Sequence, residues 1–436
     1  MSPPPQIGWY GDDLTGATDT LSALAAAGRK AVLFLDPPSA EETAPLGALD
    51  AIGIAGATRS MTRAAIADAL APVGPFFAGI GVGVLHYKCC STFDSAPETG
   101  NLATAVAALG PSFPNPLRPI VGGQPNLGRY CLFGNLFARA GAGGEVLRLD
   151  RHPMSRHPVT PMTEADLRRH LAAQGFGAIA ALANPACGGA PAALAARLAA
   201  LLAEKPDAVL LDVSRPSDLD AIGTLLWAAA AEGPLLALGA TSVMQALCRA
   251  WPQASPAGTG AAMPTRCAAA GGPVFAVIGS LSPVSRDQMA RAVSYDKTTV
   301  EAARLAGDDA YRAAVAEDSL RRLAEGRHVV VATGEARTGG PAPAAIAGAT
   351  ATLIADVASR ARLARLAVFG GDTASLSSRA LGIRHLTCLG TIGDGVVRCR
   401  AHAPDPRIDG LETIFKGGQM GPPDLLEQIV HGSPSG

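Results

Sequence analysis

The chain has 436 residues, of which 48% are hydrophobic and 17% charged, and it carries a net charge of −1. That balance argues against global disorder and supplies apolar side chains for two or three domains. Without a basic field, and with only 4% aromatic residues, the composition also argues against nucleic acid or an anionic membrane as a partner.

No stretch of 18 or more residues is continuously apolar, so no transmembrane helix is expected. The first residues, MSPPPQIGWY, lack the charged and apolar regions of a secretory signal. The cysteines at 89, 90, 131, 187, 248, 267, 388 and 399 form no CxxC pair and read as reduced thiols of a cytoplasmic protein. His152 and His157 sit in a Pro-rich loop away from any cysteine, and no metal site is expected there.

In chain order, Ile7 to Tyr10 reads as a short buried strand. Asp12 and Asp13 follow at its C-terminal end, Leu14-Thr15-Gly16 turn the chain, and a helix runs through Ala17 to Ala27. In an open α/β sheet ligands bind outside the carboxyl ends of the strands. Two carboxylates and a threonine beside a helix start therefore read as a site, although one aspartate could simply cap the helix.

Strand-like runs continue at 30–35, 51–57, 82–88, 118–123, 177–183, 208–213 and 234–240. Helical patterns alternate with them from about Thr62 to Ala71, Glu98 to Leu109, 190 to 203, Ser217 to Ala231, and up to Ala250. Residues 251–272 lack periodicity and read as a linker. The alternation then restarts with PVFAVIG (273–279), a helix from about 284, HVVVAT (328–333), a helix near 343–362 and LAVFGG (366–371). Short strands, HLTCLG, VVRCR and ETIFKGG, and a final helix near 423–430 complete the chain. This spacing predicts βαβ units. The expected fold is two α/β lobes with mainly parallel sheets around an interdomain cleft, residues 1–250 and 273–436.

Each lobe marks its strand ends differently. In the N-terminal lobe, Arg59 follows the run 51–57, Lys88 ends the run 82–88, and Ser91, Thr92 and Asp94 follow it. Gln124 and Arg129 follow the next run. Cations flanked by hydroxyls suit a small polyhydroxylated carboxylate. In the C-terminal lobe, Gly279-Ser280-Leu281-Ser282, Thr333-Gly334, Gly370-Gly371-Asp372-Thr373 and Lys416-Gly417-Gly418 stand at four strand ends. Glycines let a ligand approach the backbone and expose N–H groups to oxyanions, which fits a nucleotide phosphate site. Neither a Walker A loop nor a G-x-G-x-x-G after a strand is present.

YGDDLTGATDT, GSLSPVSRDQM, VFGGDTASLSSRALGI and IFKGGQMG, in that order, resemble the four-carbon acid sugar kinase family. The resemblance implies a sugar-acid-binding N-terminal lobe, a nucleotide-binding C-terminal lobe, and ATP-dependent phosphorylation of a hydroxyl on threonate, erythronate or oxo-tetronate type acids. By motif, Asp12 and Asp13 would face the sugar. Ser280, Ser282, Gly370, Gly371, Asp372, Thr373, Gly417 and Gly418 would face ATP; Gly334 joins them as a strand-end glycine. A homodimer is compatible with the resemblance. Where such kinases show Lys-x-Asp-Ser-Thr-x-Arg, this chain has Lys88-Cys89-Cys90-Ser91-Thr92-Phe93-Asp94. An aspartate has become Cys90 and an arginine Asp94, a pattern resembling the branch that acts on 3-oxo-isoapionate.

The expected mechanism is phosphoryl transfer with Mg²⁺ bridging the β and γ phosphates. Asp13 or Asp12 would accept or orient the substrate hydroxyl, while Lys88 and Arg59 would bind the substrate carboxylate. Thr15, Ser91, Thr92, Asp94, Gln124 and Arg129 complete the expected substrate set. A sugar-acid lyase or isomerase without nucleotide, or a non-catalytic sugar-acid-binding protein, is the alternative.

Overall fold

The computed structural model describes residues 5–141, 143–156, 160–186, 191–251, 267–279, 282–334, 340–393 and 395–433. His157, Cys187, Ser280 and residues 252–266 of the expected linker lie outside them. The chain divides into two compact units. One holds residues 1–32 and 36–262, the other residues 33–35 and 263–436.

Among the described residues eleven strands precede residue 240: β1 (Ile7–Gly11), β2 (Ala31–Phe34), β3 (Ala51–Ala55), β4 (Val84–Lys88), β5 (Pro119–Gly122), β6 (Arg129–Leu132), β7 (Asn135–Arg139), β8 (Val146–Arg148), β9 (Ile179–Leu182), β10 (Ala208–Asp212) and β11 (Leu235–Gly239). Seven of them form an all-parallel sheet in the order β3–β1–β4–β11–β5–β10–β9. β1, β3, β4, β10 and β11 are buried at every position. That is why they read as continuous apolar runs rather than alternating ones, as strands covered on both faces do. Trp9 fills the space beside Gly53, where a Cβ would come within 2.1 Å of the indole. His86, at the centre of β4, is fully buried with Nε2 3.1 Å from the Gly239 carbonyl. Burial pushes its pKa down to about 3, so it is a neutral core residue.

One local expectation shifts, and one stretch left unassigned by the sequence gains structure. The helix predicted from Glu98 starts at Leu102, because Asn101 takes the cap position and accepts the Thr104 N–H at 2.7 Å. The stretch after β5 is not a plain loop: β6, β7 and β8 form an antiparallel sheet. β6 and β7 are joined by Phe133-Gly134, both with positive φ. A two-residue turn of this kind favours Asn-Gly or Asp-Gly, so Phe-Gly gives no sequence signal for it. The fully buried Asp212, at the end of β10, ties this hairpin down through Cys131 Sγ and the Gly134 N–H.

The second unit contains β12 (Val274–Ile278), β13 (Tyr295–Val300), β14 (His328–Thr333), β15 (Arg365–Phe369), β16 (His385–Thr391), β17 (Val396–His402) and β18 (Glu412–Lys416). β13–β14–β12–β15–β18 run parallel, and β17 and β16 continue the sheet antiparallel. Leu33 and Phe34 of β2 pair with Leu386 and His385 of β16, which is why they fall in this unit. β13 and the helices Ala302–Gly307 and Asp309–Ala324 fill a stretch that the sequence pattern left undivided. At the N-terminal edge of this sheet Arg365, buried, bonds Glu412 at 2.7 Å and the carbonyls of Ile429 and Ala268. Arg398 meets the same carboxylate at 3.1 Å. No helix among the described residues is long and apolar enough to cross a membrane.

Candidate active site

Parallel register sets Gly11, Ala55, Lys88 and Gly239 at one level along the C-terminal edge of the first sheet. The residues just past that level carry the chemistry. Asp13 caps the helix Leu14–Ala26, accepting the Gly16 N–H at 2.7 Å. The capping alternative therefore holds, but it does not exhaust the side chain. Oδ2 also accepts from the Thr15 hydroxyl at 2.8 Å and from Arg59 Nη1 at 2.7 Å. Arg59 grips Asp12 through Nε at 3.0 Å and Nη2 at 2.8 Å. One guanidinium thus bridges two buried carboxylates, with the bidentate fork going to Asp12.

The two acids are not equivalent. Burial raises the Asp12 carboxyl above its ordinary value, and the Arg59 charge does not overcome it. Burial pushes Asp13 the same way, but Arg59, Lys88, the Gly16 N–H and the Thr15 hydroxyl together hold it below the usual range. Burial alone would lower the Arg59 pKa, and the two carboxylates push it well up instead. Lys88 Nζ donates to the Cys89 carbonyl at 2.6 Å. It stands beside Gly16, where an added Cβ would lie 2.9 Å from Nζ and 2.8 Å from Asp13 Oδ1.

Ser91, Thr92 and Asp94 form the turn that follows β4. The Thr92 hydroxyl donates to Asp94 Oδ1 at 2.6 Å and lies 3.2 Å from Cys90 Sγ. Burial first, then the Asp94 charge, push the Cys90 thiol up to about 11, so it stays protonated at neutral pH. Gln124 and Arg129 face each other across an isolated antiparallel bridge. A shallow depression of about 330 Å³ opens at the opposite edge of this sheet, beside Gly83 and Pro234. Its lining holds a single charged side chain, Glu232, and it has none of this chemistry.

The C-terminal edge of the second sheet is built differently. β12, β14, β15 and β18 are each followed at once by glycine: Gly279, Gly334, Gly370 and Gly417. A Cβ on Gly279 would meet Thr373 Oγ1 at 2.4 Å, so the buried Thr373 hydroxyl packs against bare backbone. Gly370, at φ 127°, caps the helix Gly371–Ala380. This is a conformation that L side chains rarely adopt. Gly371 and the exposed Asp372 open that helix, whose first N–H groups favour an anion. Ser282 caps the helix Pro283–Arg291 and donates to the Gly418 carbonyl at 2.5 Å.

A family model described as a sugar-binding N-terminal domain matches residues 7–247, and one described as a nucleotide-binding C-terminal domain matches residues 275–426. The 3-oxo-isoapionate kinase of Paraburkholderia graminis is 36% identical over 99% of this chain and 95% of its own length. The chain belongs to the four-carbon acid sugar kinase family. It is a sugar-acid kinase. The 3-oxo-tetronate kinase of Methylobacterium radiotolerans is 28% identical over 94% of this chain and 96% of its own. A solved Salmonella typhimurium LT2 protein, named as a candidate tRNA synthase, superposes with a TM-score of 0.77 at 26% identity, covering 97% of this chain and 98% of that one.

The fold gives contacts at these edges to several polar residues of the kinase to which the sequence had assigned no role. Asp19, one turn after Thr15, accepts from Thr241 Oγ1 at 2.5 Å and from Gln124 Nε2 at 3.2 Å. Thr241 lies just past the end of β11, the same kind of position that marked the other residues. In the second unit Lys416 is fully buried. Its Nζ donates to Ser285 Oγ at 3.0 Å, Gln288 Oε1 at 2.9 Å and the Gly418 carbonyl at 3.2 Å. Gln288 in turn holds the Met420 and Pro422 carbonyls. These contacts fix the glycine loop after β18. Among the described residues no group of three or more His, Cys, Asp or Glu side chains is placed to hold a metal ion.

Proposed function

We propose that the kinase transfers the γ-phosphoryl group of ATP to a hydroxyl of a small oxo sugar acid of the 3-oxo-isoapionate or 3-oxo-tetronate type, in the cytoplasm. The observation that carries this reading is the edge of the first sheet, where Asp12, Asp13, Arg59 and Lys88 converge. The 36% identity to a 3-oxo-isoapionate kinase places the branched acid first among the substrates to try.

Phosphoryl transfer needs positioning and charge neutralisation more than covalent chemistry from the protein. Asp13, ionised and fixed by three donors, has an open lone pair on Oδ1 with which to orient the substrate hydroxyl and take its proton. Asp12, with its raised proton affinity, is the alternative acceptor. Lys88 Nζ, with one hydrogen bond to a carbonyl, has donors left for the charge that develops beside Asp13. Thr15 fixes the Asp13 rotamer.

The bare backbone at Gly279, Gly370 and Gly417, with the Gly371 helix start, Ser282 and Thr373, fits nucleotide phosphates. Asp372 is a carboxylate at that edge, and Mg²⁺ typically takes one or two carboxylates plus phosphate oxygens and water. Bound there, the ion would neutralise phosphate charge.

The test is ADP release from ATP and Mg²⁺ with D- and L-threonate, D-erythronate, the 2- and 3-oxo-tetronates and 3-oxo-isoapionate. Turnover with one of them supports the reading. Failure of every acid to stimulate turnover, with no ATP binding by calorimetry, overturns it.

A further inference from the structure

Arg59 was expected to hold the substrate carboxylate, but three of its five N–H donors are engaged by Asp12 and Asp13. A different pair of side chains is short of partners. Gln124 is fully buried, and its Oε1 has no hydrogen-bond partner. Its Nε2 donates to Asp19 Oδ2, which also receives the Thr241 hydroxyl. Flipping the amide would set its oxygen against that carboxylate, so the orientation follows from the chemistry and Oε1 is an acceptor without a donor. Arg129 has the complementary deficit. Nη1 donates to the Leu127 carbonyl, Nε is buried with no partner, and among the described residues no carboxylate lies within ion-pair distance.

The two deficits lie side by side. Gln124 and Arg129 exchange both backbone hydrogen bonds, Gln124 N–H to the Arg129 carbonyl at 2.9 Å and the reverse at 3.2 Å. Directly opposed residues of an antiparallel pair project from the same face. Burial depresses the Arg129 pKa, and the Asp94 charge is close enough to oppose that shift. A half-buried cation without a carboxylate partner and a buried acceptor without a donor are each costly until a ligand meets them. A molecule carrying a carboxylate and a hydroxyl meets both.

We propose that Arg129 and Gln124 form the acid-recognition end of the substrate site. The Arg129 guanidinium receives the substrate carboxylate, Gln124 Oε1 accepts a hydrogen bond from a substrate hydroxyl, and Arg59 is a positioning residue for Asp12 and Asp13. This rests on the sugar-acid kinase reading and divides the site into a reacting end, at Asp13 and Lys88, and a recognition end.

The experiment compares the preferred sugar acid with its neutral primary amide in wild type, Arg129→Gln and Arg59→Lys. Wild type is expected to favour the acid by about 100-fold in kcat/KM, the scale of a charge-assisted pair. Arg129→Gln should lose most of that preference through KM for the acid, with KM for ATP unchanged. Arg59→Lys should lower kcat and keep the preference. A merely structural role for Arg129 would weaken acid and amide alike. Retention of the preference in Arg129→Gln, or its loss in Arg59→Lys, overturns the proposal. Arg129→Lys gives a second reading should Arg129→Gln misfold. A single point charge in place of the planar fork should cut the preference about tenfold, and an unchanged preference counts against the proposal. Calorimetric binding of the acid without nucleotide separates the two levels. If no acid is turned over, the kinase reading fails, and acid binding lost in Arg129→Gln still supports the recognition end.

Discussion

The C-terminal edges of the two sheets solve different recognition problems with different materials. The first places charge past its strand ends: Asp12 and Asp13 after β1, Arg59 after β3, Lys88 closing β4. The second places glycine past four strand ends and recruits hydroxyls, Ser282 and Thr373, from the helices that follow. A small acid with several hydroxyls presents few groups, so side chains of chosen charge and reach must find them. A polyphosphate presents many equivalent oxygens, which main-chain N–H groups can meet once nothing projects in the way. The contrast explains why the first edge is tied together by ion pairs and the second by hydrogen bonds to carbonyls.

Removing the cation from the first edge should have the largest effect. Arg59→Met leaves two buried carboxylates facing each other and should cost about 3–5 kcal/mol of stability, read as a loss in the midpoint of denaturant unfolding. Asp13→Asn should be gentler on the fold, because asparagine caps a helix as well as aspartate does. It should still lower turnover at least about a hundredfold, and near-normal turnover in a folded variant would remove Asp13 from its role. At the glycine edge, Gly279→Val should drive a side chain into Thr373. We expect a loss of about 1–3 kcal/mol and weaker nucleotide binding by calorimetry, with acid binding unchanged. Equal weakening of both ligands would break the division between the edges.

A pH dependence tests the second edge in another way. Burial lowers the Lys416 pKa from 10.5 to about 7. Between those values the unfolded chain holds a proton that the folded chain has released, so stability rises with pH across that window and is flat below it. Lys416→Met should lose that slope, checked by comparing the unfolding midpoints of variant and wild type at pH 7 and pH 9.

The strands were legible because burial on both faces makes them continuous apolar runs, and their ends because aspartate, lysine or glycine follows at once. β13 was harder to read. YDKTTV buries only Tyr295 and Val300, leaving no apolar run. The β6–β7 hairpin was hidden by its Phe133-Gly134 turn. In the candidate site the residues were visible and their partners were not. That Arg59 closes on Asp12 and Asp13, 47 and 46 positions away, depends on β1 and β3 lying side by side, which no local pattern encodes. Lys416 stood in view inside a glycine motif, but its bonds to Ser285 and Gln288 required the fold.

Residues 33–35 carry a consequence for how the chain can be made and cut. They complete the sheet of the second unit beside β16, and the Leu35 carbonyl accepts from Arg379, 344 positions later. During synthesis this segment emerges early and must wait for nearly the whole chain before its partner exists. A C-terminal fragment beginning after residue 262 would lack it and present the bare edge of β16, an invitation to pair with another copy. Expressing the halves apart therefore removes a strand from one of them, and supplying residues 31–36 in trans is the natural way to restore it.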